Sequence, residues 1–123
     1  MRRYPVAMQL PLQITFRGME HSSTIEAAIR EKAAKLEHYF DRIMSCRVVV
    51  ELAARHKQHG KPFTVHLDSQ VPGGEIAVTR DQDEDFQVAL RDAFDAARRK
   101  LEDHVRVQRG YVKAHRPPAA TED

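Results

Sequence analysis

A chain of 123 residues, 41% apolar and 31% charged, has the size and composition of one soluble domain with a single modest core. No run approaches the roughly 18 to 20 apolar residues of a membrane span, and no apolar segment follows Arg2-Arg3, which argues against a secretory or twin-arginine signal. The lone Cys46 excludes an internal disulfide, fits a reducing cytoplasm, and heads a β-branched run where a buried structural thiol is expected.

In chain order, residues 1 to 8 read as a flexible leader. Leu10, Leu12, Ile14 and Phe16 alternate with Pro11, Gln13, Thr15 and Arg17, the pattern of a half-buried strand. Pro11 lacks a donor, so this strand belongs on a sheet edge. After the turn Arg17-Gly18-Met19-Glu20, Ser22 and Ser23 offer N-caps, and Ser23-x-x-Glu26 reads as a capping box starting a helix near Thr24. Ile25, Ile29, Ala33, Leu36 and Phe40 fall on one stripe at about 100° per residue. Ala28, Lys32, Lys35 and Tyr39 line one edge of that stripe, and Glu26, Arg30 and Glu37 the other.

Cys46 to Ala54 is a second strand, and a strand, helix and strand in succession imply a crossover with parallel pairing. The polar connector Arg55 to Pro62 leads into an alternating strand, Phe63 to Ser69. Pro72-Gly73-Gly74 closes it, and Glu75 to Thr79 makes a short fourth strand. The acidic run ending at Asp85 caps a second helix striped by Phe86, Leu90, Ala93, Phe94, Ala97, Leu101 and Val105. From about Val107 the periodicity dissolves, so 9–106 is the expected domain and 107–123 a flexible tail. The order β-α-β-β-β-α predicts an α+β fold, a four-stranded mixed sheet with both helices on one face.

The net charge of +2 hides an uneven distribution, for Arg30 to Lys61 holds eight Lys and Arg against four acids. Lys32, Lys35 and Tyr39 form a helix edge without an acid, able to meet a phosphate backbone while the stripe stays buried. A solvated edge is the commoner role of any lysine pair. On the second helix Arg91 and Arg98 share one edge, seven residues apart, while Lys100 points to the other, beside Ala89 and Ala96. Asp41-Arg42 reads as a capping and salt-bridging exit, and Lys57 lies on the basic connector. His56-x-x-His59 lacks a nearby cysteine or acid and makes a poor metal site. The alternating Asp81, Asp83 and Asp85 lack the glycine and final glutamate of a calcium loop. No P-loop, Gly-x-Gly-x-x-Gly or nucleophilic constellation occurs, so neither catalysis nor a cofactor is expected.

Ala34-Lys35-Leu36-Glu37-His38-Tyr39-Phe40-Asp41-Arg42-Ile43, with Gly73-Gly74-Glu75-Ile76 before an acidic turn and a second helix, resembles the hibernation-promoting factor family of small ribosome-associated proteins. The resemblance spans roughly residues 8 to 104. It implies a fold similar to double-stranded-RNA-binding domains and docking on the small ribosomal subunit's rRNA, in the channel of messenger and transfer RNA, inhibiting translation under stress or in stationary phase. It further implies that Lys32 and Lys35 are directed at rRNA; with the cations and the aromatic read from the sequence, the expected rRNA-binding set is Lys32, Lys35, Tyr39, Arg42, Lys57, Arg91, Arg98, Arg99 and Lys100. Another hibernation factor is a second candidate partner, whereas a membrane or a small-molecule substrate is not expected. Relatives carry lysines where this chain has Ala96, Asp103 and Val105, while Arg99 and His104 match, so the second helix has a redrawn basic surface. Two other readings compete: a general duplex-RNA-binding regulatory module and, more weakly, an acylphosphatase-like enzyme, which would need a closing strand after the second helix.

Overall fold

Leu12, Ile14 and Phe16 turn one side of strand β1 (Leu12–Arg17) toward an apolar interior, and the chain crosses over them through helix α1 (Ser23–Tyr39) into strand β2 (Ser45–Leu52). The computed structural model describes residues 11–52, 63–82 and 85–115, without the side chains of Gln82 and of 111–115. Strand β2 pairs with β1 in parallel, as the crossover predicts. Strands β3 (Phe63–Val71) and β4 (Gly74–Gln82) follow as an antiparallel meander, giving the order β1-β2-β3-β4, and helix α2 (Phe86–His115) ends the described chain. This is the α+β architecture with a mixed four-stranded sheet that the element order predicts.

Register aligns Ile14, Val48, Leu67 and Val78 in one row across all four strands, with Phe16, Val50 and Val65 in the next. Both rows join the cluster formed with Ile25, Ile29, Ala33 and Leu36 of α1 and Leu90, Ala93, Phe94, Ala97 and Leu101 of α2. One-sided burial follows from the side-chain period of two. The opposite face is polar, with Arg47 bonded to Asp68 at 3.1 Å, and His66 held between Thr79 at 3.1 Å and Glu51 at 3.5 Å. Cys46 lies inside, directly opposite the fully buried Ser69, and desolvation pushes its thiol pKa up.

Helix α1 is capped by Ser22, whose hydroxyl accepts from the Ile25 amide at 3.1 Å. The capping box predicted from Ser23 therefore does not form. Glu26 instead pairs with His21 and with Arg30 at 2.9 Å, and these partners, His21 foremost, hold its carboxyl below the ordinary range. Asp85 caps α2 as expected, accepting from the Gln87 amide at 2.9 Å. Strands β3 and β4 run longer than predicted, because the hairpin pairs all the way from Val71↔Gly74 to Phe63↔Gln82. Helix α2 also continues beyond Arg106, to His115. Its apolar stripe stops near Val105, but no proline occurs before Pro117, so nothing breaks the hydrogen-bond ladder where amphipathicity ends.

The Pro72-Gly73-Gly74 motif has a packing explanation. Gly73 has φ +85°, the left-handed value required after proline in a type II turn. A Cβ there would also collide with the Gln108 side chain of α2. Beside it His104 donates from Nε2 to the Pro72 carbonyl at 3.0 Å. The hairpin tip and the second half of α2 thus fit against each other. No described helix is long and apolar enough to cross a membrane. The predicted leader, Leu10, Ala53-Ala54, the His56–His59 connector with Lys57, Asp83, and the end of the chain beyond residue 115 lie outside the described residues.

Candidate nucleic-acid interface

The stripe of α1 buries Ile25, Ile29, Ala33 and Leu36, so its edges are fixed in space. Lys35 is exposed, Lys32 is half-buried, and Tyr39 closes the row at 68% exposed. Phe40, the C-cap, packs partly against the core, and its amide donates to the Leu36 carbonyl at 2.9 Å. Asp41 and Arg42 then stand free. The salt-bridging exit predicted for them does not form, since neither has an ionic partner among the described residues.

Tyr39 and Val105 line one cleft of 480 Å³ past the end of α1. By helical spacing Tyr39 ends the edge that carries Lys32 and Lys35, and Val105 the edge that carries Arg91 and Arg98. Lys32, Lys35 and Arg42 have no hydrogen-bonding or ionic partner among the described residues. An unpartnered ammonium keeps all its donors for an incoming phosphate and gives up no internal pair on binding.

The cations of α2 are arranged differently. Arg98 is bonded to Glu102 at 3.0 Å, Arg106 to Asp103, and Arg91 sits 3.6 Å from its neighbour Asp92. Lys100 donates to the Ala77 carbonyl of β4 at 3.0 Å, so it faces the sheet edge and not the cleft. Arg99 is exposed and has no ionic partner among the described residues. Ala96 is buried at 3% exposed, on the same side of α2 as Lys100, which meets β4. The structure thus brings Tyr39 and Arg42 together at the cleft, sets Lys32 and Lys35 on the same helix edge as Tyr39 and Arg91 and Arg98 on that of Val105, and leaves Lys100 at the sheet edge and Arg99 exposed outside the cleft; Lys57 lies outside the described residues.

One cation of this region has no signal in the apolar stripe. Arg109 lines the cleft with Tyr39 and Arg42, one helical turn beyond Val105. Extending the helical row past the end of the stripe is what finds it. Among the described residues no three His, Cys, Asp or Glu side chains gather as metal ligands.

Known proteins share this arrangement of elements. The N-terminal domain of Thermus thermophilus Protein Y superposes with a TM-score of 0.64 at 22% identity, over 79% of this chain and 99% of that one. A ribosomal subunit interface protein from Coxiella burnetii superposes with a TM-score of 0.58 at 16% identity, over 82% and 99%. In sequence, residues 12–109 match the family described as Sigma 54 modulation protein / S30EA ribosomal protein, and the chain belongs to that family. The ribosome hibernation promoting factor of Escherichia coli (strain K12) is 32% identical over 95 residues, covering 77% of this chain and 93% of that protein.

Proposed function

We propose that this protein is a cytoplasmic ribosome hibernation factor that seats itself on the small subunit, in the channel of messenger and transfer RNA, and inhibits translation under stress or stationary phase. Family membership over residues 12–109 supports the ribosomal assignment, as does the kinship with a protein named ribosome hibernation promoting factor. The observation that carries the mode of action is the edge Lys32-Lys35 with Arg42 beyond it, three cations without a partner among the described residues, leading to the cleft at the end of α1. Such an edge grips phosphates through counterion release and needs little base readout. The protein acts by occupancy, making and breaking no bond.

The test is Lys32→Glu with Lys35→Glu, which replaces two attractions by two repulsions and leaves the buried stripe untouched. The double variant is expected to unfold at the parent's temperature, to stop sedimenting with small subunits, and to stop inhibiting a purified translation system. The slope of log affinity against log salt should fall by about two, roughly one for each phosphate left without its lysine. Parent-like occupancy of small subunits by this variant would remove α1 as the docking face. Tight binding of the parent to plain RNA duplexes without co-sedimentation would replace the ribosomal reading with that of a duplex-RNA module.

A further inference from the structure

We propose that the cleft where α1 ends is a pocket for one unpaired RNA base, with the Tyr39 ring as its stacking platform. The cleft has a volume of 480 Å³, within the range of about 300–1,000 Å³ that accommodates a small planar ligand. Its floor is apolar, built from Ile43, Val71 and Leu101, all buried. Tyr39 stands at its mouth, 68% exposed, with its ring tilted 43° to that of Phe40 and 6.2 Å away. No described residue covers that ring, and an exposed aromatic beside an apolar floor offers a π-face to a base.

Charge chooses between occupants. Arg42 and Arg109 both line it, one just past α1 and the other late in α2, and neither has an ionic partner among the described residues. Among the described residues Asp41 is the single acid lining the cleft. An apolar peptide segment would fill the floor but leave two guanidinium groups idle. A splayed-out nucleotide uses both, because its base enters the cleft while its flanking phosphates reach the walls. The pocket also continues the lysine edge, since Lys35 lies one helical turn before Tyr39. This inference rests on the proposed RNA-binding role and adds to it: backbone gripping along that edge ends in capture of a base that is out of its helix.

The test compares two RNA hairpins of equal length, one fully paired and one with a single bulged 2-aminopurine, each titrated with the full chain. The parent should bind the bulged hairpin more tightly and quench its fluorescence by stacking. Tyr39→Ala should lose that preference, a fall of roughly 5- to 150-fold on the bulged hairpin alone, while Tyr39→Phe retains it. Equal affinity of the parent for both hairpins, or an undiminished preference in Tyr39→Ala, would overturn the proposal. Small-subunit sedimentation separates this failure from failure of the ribosomal reading, because a parent that sediments with subunits yet ignores the bulge leaves the latter intact. If Tyr39→Ala weakens subunit binding without affecting the bulged hairpin, the cleft takes a ribosomal protein and the base pocket is refuted.

Discussion

The two helices lie on the same sheet face, and α2 carries seven Lys and Arg against four on α1 and its exit, yet α1 and its exit leave the larger share without an internal partner among the described residues. On α1 and its exit, Lys32, Lys35 and Arg42 face outward with no internal partner, and Arg30 alone is tied up, on the far edge with Glu26. On α2, Arg98, Lys100 and Arg106 are each engaged, by Glu102, by the Ala77 carbonyl and by Asp103. Counting basic residues would rank α2 well above α1. Counting those without a partner among the described residues ranks α1 and its exit first, Lys32, Lys35 and Arg42 against Arg99 and Arg109. An internally paired guanidinium must leave its carboxylate or hold a phosphate against that carboxylate's repulsion, so its gain on binding is smaller.

The largest effect should come from separating the buried stripe of α1 from its charged edge. Leu36 is 4% exposed, and Leu36→Ala should lower stability by about 2–5 kcal/mol in urea unfolding. The two lysines, on the same helix, should leave stability within about 0.5 kcal/mol when changed. Equal losses in both variants would mean the edge is structural.

A smaller effect measures the contrast itself. Arg91→Ala with Arg98→Ala removes the same charge as Lys32→Ala with Lys35→Ala, yet should weaken small-subunit binding by less, since Arg98 is already paired and Arg91 lies against Asp92. Measured dissociation constants of the two double variants decide this, and an equal or larger loss from the arginine pair would reverse the ranking.

The smallest effect runs the other way. Glu102→Gln releases Arg98 and removes a negative charge from α2, and because exposed i,i+4 pairs contribute about 0.3–0.5 kcal/mol, binding should tighten by roughly twofold. Weaker binding in this variant would show that the Arg98–Glu102 pair positions the arginine for its target.

Periodicity is enough for the elements, because alternation and the four-three spacing are direct consequences of which faces are buried. The parallel β1–β2 pairing follows from the crossover rule. What periodicity cannot supply are features decided by single contacts. Two adjacent serines are equal as caps on paper, and only the backbone shows Ser22 in the extended conformation with its hydroxyl on the Ile25 amide. The end of α2 lies later than its pattern predicts because amphipathicity, which reports burial, stops before the helix does. Helical spacing puts Lys100 on a separate edge, but its engagement with Ala77, 23 residues earlier, is a tertiary fact. The cleft brings together residues 39–43, 71–72 and 101–109, and no local pattern marks such a meeting.

The contact between Lys100 and Ala77 has a consequence beyond the reckoning of charge. Strand β4 closes one side of the sheet, and its outward carbonyls would otherwise be open to the strand of another molecule. An ammonium held 3.0 Å from one of them occupies that site and sets a positive charge where a second copy would dock. At the opposite side Pro11, just before β1, gives its carbonyl to the Cys46 amide at 3.0 Å, so its missing amide hydrogen falls on the β2 side of the strand. The two borders of the sheet are therefore unlike, and only at β4 does a held ammonium stand in the way of an incoming strand.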